Sequence, residues 1–152
     1  MLSYVEKEND LKELFRLDRD ANIIAKIESN KGLQFVREVY PRYKDKIHLM
    51  AARGDLYVEV DRPDLIIDSC EEIIKADSEA MFASRLFQSF KDLNKLPKCA
   101  DLFDVYCGMK IGYKKFLIGD DICSNKESLN AAVNIFGIIA DKYKKYPKPV
   151  VK

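Results

Sequence analysis

Two apolar runs of strand length, each stopping abruptly in charge, constrain this chain more than any other feature. Ile23–Glu28 reads IIAKIE and closes on Lys26 and Glu28; Ile47–Glu59 reads IHLMAARGDLYVE and turns charged at Arg53 and Asp55. A strand with one wet face alternates apolar and polar residues, whereas a strand covered on both faces is apolar almost throughout. Both runs are of the second kind and predict parallel strands under helices. The charges that end them then lie at the C-terminal mouth of the sheet, where ligands bind in α/β barrels and open parallel sheets. Two acids and two bases at neighbouring strand ends can hold a divalent metal and an anionic substrate.

The rest of the pattern repeats that unit. Leu2–Val5 reads as a short strand, and Asn9 is expected to cap a helix from Asp10 to about Leu17. Ser29–Gly32 turns into a helix carrying Leu33, Val36 and Tyr40, ended by Pro41. After the strand Ile47–Ala52 comes an Arg53-Gly54-Asp55 turn, and Pro63 suits the first turn of a helix bearing Leu65, Ile66, Cys70, Ile73 and Ile74. Ala80–Ser84 is a strand, Asn94–Lys98 a polar break, and Asp101–Ile111 a helix closed by Gly112. Phe116–Gly119 is the last strand. Ser124 with Glu127 then predicts a capping box before a long helix, whose buried stripe is Leu129, Ala132, Val133, Phe136, Ile139 and Ala140. The recurrence of strand, loop and helix is a run of βα units. It predicts an α/β fold with about five parallel strands, in one domain over 1–146 with a frayed tail at 147–152.

Composition narrows the function. A chain of 152 residues suffices for one core. Its formal net charge of +1 gives no footprint for nucleic acid and no polybasic patch for a membrane. No apolar run approaches the roughly 20 residues of a membrane span, and the opening MLSYVEKEND turns acidic too soon for a signal peptide. The four cysteines form no Cys-x-x-Cys pair and His48 is the only histidine, which argues against zinc and for free thiols in the cytoplasm. Cys70 and Cys107 fall on helix patterns and are expected in the core, while His48 is expected on a strand surface.

Several segments resemble the later part of the pyruvate kinase barrel. Ala25-Lys26-Ile27-Glu28 is similar to that family's Ala-Lys-Ile-Glu strand. Met50-Ala51-Ala52-Arg53-Gly54-Asp55-Leu56, followed by Val58-Glu59, resembles its Met-Val-Ala-Arg-Gly-Asp-Leu-Gly-Val-Glu segment. Ala83-Ser84-Arg85-Leu86 resembles Ala-Thr-Gln-Met; Ala100-Asp101 with Asp104-Val105 resembles Ala-Glu and Ser-Asp-Val; Leu117 to Asp121 faintly echoes Met-Leu-Ser-Gly-Glu. Leu2-Ser3-Tyr4-Val5 is similar to the end of the preceding strand. The resemblance implies a partial (βα)8 TIM barrel, from the end of strand four through strand eight.

By that resemblance Lys26 is the catalytic lysine that neutralises the transferring phosphoryl group and the developing enolate. Glu28 and Asp55 hold Mg²⁺ or Mn²⁺; Lys26, Ala52, Arg53, Gly54, Asp55 and Ser84 face the substrate, phosphoenolpyruvate or pyruvate. The matched region omits the strands that carry the family's K⁺ and phosphate ligands, the lid over the nucleotide, and the C-terminal effector domain. Tyr57 stands where the family has a glycine, and Lys98-Cys99 where it has Thr-Arg. Weak or absent phosphotransferase activity in the isolated chain is therefore expected, with nucleotide binding in question. Unpaired edge strands, and inner faces bearing Ile23, Ala25, Met50 and Leu117, predict self-association or a partner chain that completes the barrel. Two alternatives stay open: a non-catalytic remnant that serves as a binding or assembly partner, and a metal-dependent lyase of pyruvate or oxaloacetate.

Overall fold

The computed structural model describes residues 1–91 and 96–145. The start of the expected polar break, at Asn94 and Lys95, and the expected frayed tail lie outside the described residues. Four strands, β1 (Ile23–Ile27), β2 (Ile47–Ala52), β3 (Met81–Ala83) and β4 (Lys115–Leu117), form one sheet in the order β1-β2-β3-β4, all parallel. The helices, in chain order, are α1 (Glu8–Leu17), α2 (Asn30–Glu38), α3 (Arg53–Glu59), α4 (Leu65–Ala76), α5 (Cys99–Ile111), α6 (Asp120–Cys123) and α7 (Lys126–Lys145). Among the described residues no helix is long and apolar enough to cross a membrane. The chain divides into two compact units, Met1–Ala83 with Tyr113–Phe116, and Ser84–Gly112 with Leu117–Lys152.

In the first unit the register pairs Ile23 with Ile47, Ala25 with Leu49 and Ile27 with Ala51. All six are buried. They form the face on which α2 packs against β1 and α4 against β2. The opposite face pairs Ile24 with His48 and Lys26 with Met50; there Ile24 and Lys26 are half-buried and His48 is exposed. The expectation that Ile23, Ala25 and Met50 lie uncovered is thereby overturned. Ile23 and Ala25 differ in parity from Lys26, so the two-residue period of a strand turns them toward the helices. Met50 does share the face of Lys26, yet it is fully buried.

The expected first strand shrinks to one parallel bridge, Leu2 to Ala25. Leu2 donates to the Ile24 carbonyl and accepts from the Lys26 amide, both at 2.9 Å, and the Val5 amide rejoins the Lys26 carbonyl at 3.3 Å. Between those contacts Ser3 and Tyr4 leave the ladder. The next helix begins at Glu8, earlier than expected, because Asp10 rather than Asn9 gathers the free amides of Glu6 (2.9 Å) and Lys7 (3.0 Å). The turn expected at Ser29–Gly32 is the start of α2, where Ser29 is the cap, its hydroxyl accepting from the Gly32 amide at 3.1 Å.

A buried carboxylate closes the far side of this unit. Asp77 accepts the amides of Leu49 (2.8 Å) and Glu79 (2.9 Å) and meets His48 Nδ1 at 3.2 Å. His48 is thus the strand-surface residue expected, with a structural partner. Tyr113 anchors the strand that follows it: its hydroxyl donates to the Cys70 carbonyl at 2.7 Å and its ring lies 4.8 Å from that of Phe82. Burial pushes the Tyr113 phenol well above its ordinary range.

The second unit packs α5 against α7. Gly112, with φ of 131°, ends α5 in a conformation that side chains rarely adopt. The cap of α7 is Asn125, not Ser124: its Oδ1 accepts the Glu127 amide at 2.9 Å and the Ser128 amide at 3.0 Å. Ser124 is spent in ending the short helix α6. The buried positions of α7 are Ser128, Ala132 and Ile139, while Val133 is 53% exposed. The expected stripe thus holds at Ala132 and Ile139, with Leu129, Phe136 and Ala140 half-buried; Val133 leaves it, and Ser128 joins the buried side, donating to the Phe90 carbonyl at 2.7 Å. Cys70 is buried as expected, but Cys107 is exposed on α5.

Candidate functional site at the carboxyl ends of the first two strands

The Lys26 and Glu28 side chains lie on one face of the chain as β1 ends, two residues apart and therefore neighbours. The Lys26 ammonium meets Glu28 Oε1 at 2.7 Å and donates to the Ser3 hydroxyl at 3.1 Å. Glu28 is only 1% exposed. Its second oxygen, Oε2, accepts the Tyr4 amide at 2.6 Å. A carboxylate withdrawn from water needs such partners, and here both oxygens have one. Tyr4 takes a left-handed φ of 49° to make its bond, a conformation that side chains resist. The excursion of Ser3 and Tyr4 out of the ladder thus presents a hydroxyl to Lys26 and an amide to Glu28.

The strand β2 runs directly into α3, so Arg53-Gly54-Asp55 is the first turn of a helix and not the free turn expected. Ala52 precedes it and is buried; Gly54 is half-buried and Asp55 exposed. Arg53 leads away toward β3. Its Nε donates to the Ala83 carbonyl at 3.1 Å and its guanidinium lies 3.9 Å from the centre of the Phe82 ring. That contact is a cation–π stack, and it makes Arg53 a tie between two strands. Ser84 follows β3 at once, with φ of 73°, and belongs to the second unit.

One side chain reports on the charges around it. The exposed Tyr4 phenol is held above its ordinary range, first by the charge of Asp55, then by partial burial, then by Glu28 and Glu59, with Lys26 opposing. Lys26, Glu28 and Asp55 therefore act on a single hydroxyl. Sequence reasoning missed Ser3, Tyr4 and Glu59 as members of this group. Ser3 and Tyr4 were read only as part of a strand, and their place depends on the break in the ladder. Glu59 ends the quoted run, but only the helix α3 directs it here.

Glu28 and Asp55 offer hard oxygen donors of the kind that Mg²⁺ and Mn²⁺ take. Each Glu28 oxygen accepts one hydrogen bond and keeps further lone-pair capacity. Among the described residues no group of three or more His, Cys, Asp or Glu assembles into a metal cluster. Compared with known proteins, the chain matches no family model and no curated sequence.

Proposed function

We propose that this chain is a pyruvate-kinase-like protein, built on part of an α/β barrel, that keeps the metal and enolate half of a phosphotransferase site. The observation that carries the reading is the Lys26–Glu28 pair, 2.7 Å apart where β1 ends, on the strand that pairs in parallel with β2, which runs directly into the helix turn bearing Asp55. The substrate is a small three-carbon acid, phosphoenolpyruvate or pyruvate. A divalent ion, when bound, supplies neutralisation of an enolate oxygen; Glu28 and Asp55 are the residues that would hold it. Lys26 sets a positive charge beside the oxygen on which negative charge develops, and charge placed in advance is the main lever in such chemistry. Burial of Glu28 keeps that ammonium from swinging into solvent.

A second reading is favoured by one fact. Both Glu28 oxygens already have protein partners, which suits a non-catalytic protein that uses the pair only to hold its N-terminal segment. Paramagnetic relaxation with Mn²⁺ separates the two. Weak binding by the wild type, lost in Asp55→Ala, is the expected result; indistinguishable titrations would return the site to a structural role. A coupled assay for ATP formation from phosphoenolpyruvate and ADP is expected to give turnover at or barely above background. Sedimentation tests the accompanying proposal that a second copy or a partner chain pairs with the outer edges of the sheet.

A further inference from the structure

We propose that the opposite end of the sheet carries a second site, which takes a polyphosphate joined to a planar ring, the chemistry of a nucleoside diphosphate or triphosphate. An open cleft of about 520 Å³ is lined by Lys12, Phe15, Arg16, Arg19, Tyr43 and Lys46. Arg19 lies in the turn that leads into β1, and Lys46 immediately precedes β2. The cleft therefore opens at the amino ends of these strands. It is separated from Lys26 and Glu28 by the length of β1, roughly 15 Å at about 3.3 Å per residue.

Four of the six lining residues are cationic and none is acidic. Lys12 is paired with Glu8 at 2.7 Å. Arg16, Arg19 and Lys46 have no carboxylate partner among the described residues, although Glu13, Asp18, Asp20 and Asp45 are close in sequence. Those acids do not line the cleft. In a chain of net charge +1, such a local excess of three unpaired cations is a concentrated positive field rather than a general surface property. Two guanidiniums and an ammonium match phosphate oxygens: the arginines can bind in forked pairs and the lysine as a point charge.

The rest of the lining is aromatic. Phe15 and Tyr43 stack with their planes 8° apart and centroids 6.5 Å apart. The Tyr43 hydroxyl donates to Glu8 Oε1 at 3.0 Å, which fixes the ring. Burial and Glu8 hold the phenol above its ordinary range, so it stays neutral beside the cations. A fixed aromatic face beside three cations suits a flat ring whose substituent is a string of phosphates. The volume lies within the range of small-molecule sites, about 300–1,000 Å³, and exceeds what a lone phosphate needs.

The test is calorimetric, on the full chain in EDTA, so that no divalent ion bridges the ligand to the carboxylates at the other end. The probes are ADP and inorganic tripolyphosphate. Wild type is expected to bind ADP saturably, and the double variant Arg16→Gln/Arg19→Gln to bind it about tenfold more weakly or worse, the loss of about one charge-assisted contact or more. Both arginines are exposed, and circular dichroism will show the double variant folded. Phe15→Leu is expected to weaken ADP while leaving tripolyphosphate unchanged. Absence of saturable binding, or equal ADP affinity in the double variant, overturns the site. Tripolyphosphate binding as tightly as ADP, with both indifferent to Phe15→Leu, overturns the role given to the ring.

Discussion

Replacing Glu28 by alanine separates what the carboxylate does for the fold from what it would do for a metal. Glu28 is 1% exposed and bonds the Lys26 ammonium at 2.7 Å and the Tyr4 amide at 2.6 Å. The amide loses a charge-assisted bond of about 1.5–3 kcal/mol. Lys26 keeps the Ser3 hydroxyl and a side chain 26% exposed to water, so its own loss is the smaller part. Without the Glu28 contact, Tyr4 also has no reason to keep its left-handed φ, and relief of roughly 1 kcal/mol of strain offsets part of the cost. The net destabilisation is about 2–3 kcal/mol, since removing one partner of a buried pair costs 3–5 kcal/mol when the other is left wholly unpaired. Asp55→Ala, at an exposed position, is expected to change stability by no more than about 0.5 kcal/mol. Urea denaturation followed by circular dichroism measures both. If Glu28→Ala proves as stable as Asp55→Ala, the Lys26–Glu28–Tyr4 network is not what holds the N-terminal segment. The contrast has a practical side: loss of metal binding in Glu28→Ala says little about ligation, whereas the same loss in Asp55→Ala says much.

Asp77→Ala leaves the amides of Leu49 and Glu79 without an acceptor and is expected to destabilise by about 3 kcal/mol; His48→Ala, which removes only the exposed partner, should fall within about 0.5 kcal/mol in the same urea titrations. The Tyr113 phenol is raised by burial, so its contribution is complete below its ordinary value near 10 and is lost as pH climbs toward the folded value. Thermal melts between neutral and strongly alkaline pH should therefore show a steeper loss in wild type than in Tyr113→Phe, which itself gives up about 1 kcal/mol for the bond to the Cys70 carbonyl. Asn125→Ala should cost about 1 kcal/mol of helix capping and Ser124→Ala almost nothing; comparable losses from the two would contradict the assignment of the cap.

The sequence by itself determined the strands whose apolar runs are long and bounded by charge. Ile47–Ala52 was legible to the residue, and the helices α2, α4 and α5 were found from their apolar residues and from Pro41, Pro63 and Gly112. It also placed Lys26 and Glu28 on one side of a strand end, because a two-residue period leaves no other arrangement. Where competing caps stand side by side, local chemistry was ambiguous. Ser124 and Asn125 are both good caps, and the inward turn of Ser128 to the Phe90 carbonyl accompanies the choice of Asn125. Only the tertiary structure decided that Leu2–Val5 pairs at one residue and then breaks away, which brings Ser3 and Tyr4 over the Lys26–Glu28 pair. Nor could spacing reveal that Arg53 is drawn to the Ala83 carbonyl and the Phe82 ring, or that the cations of α1 meet Lys46 and Tyr43 in one cleft. Strand and helix periods are set by neighbours a few bonds away. Ion pairs and clefts join residues distant along the chain, and packing chooses those partners after the elements have formed.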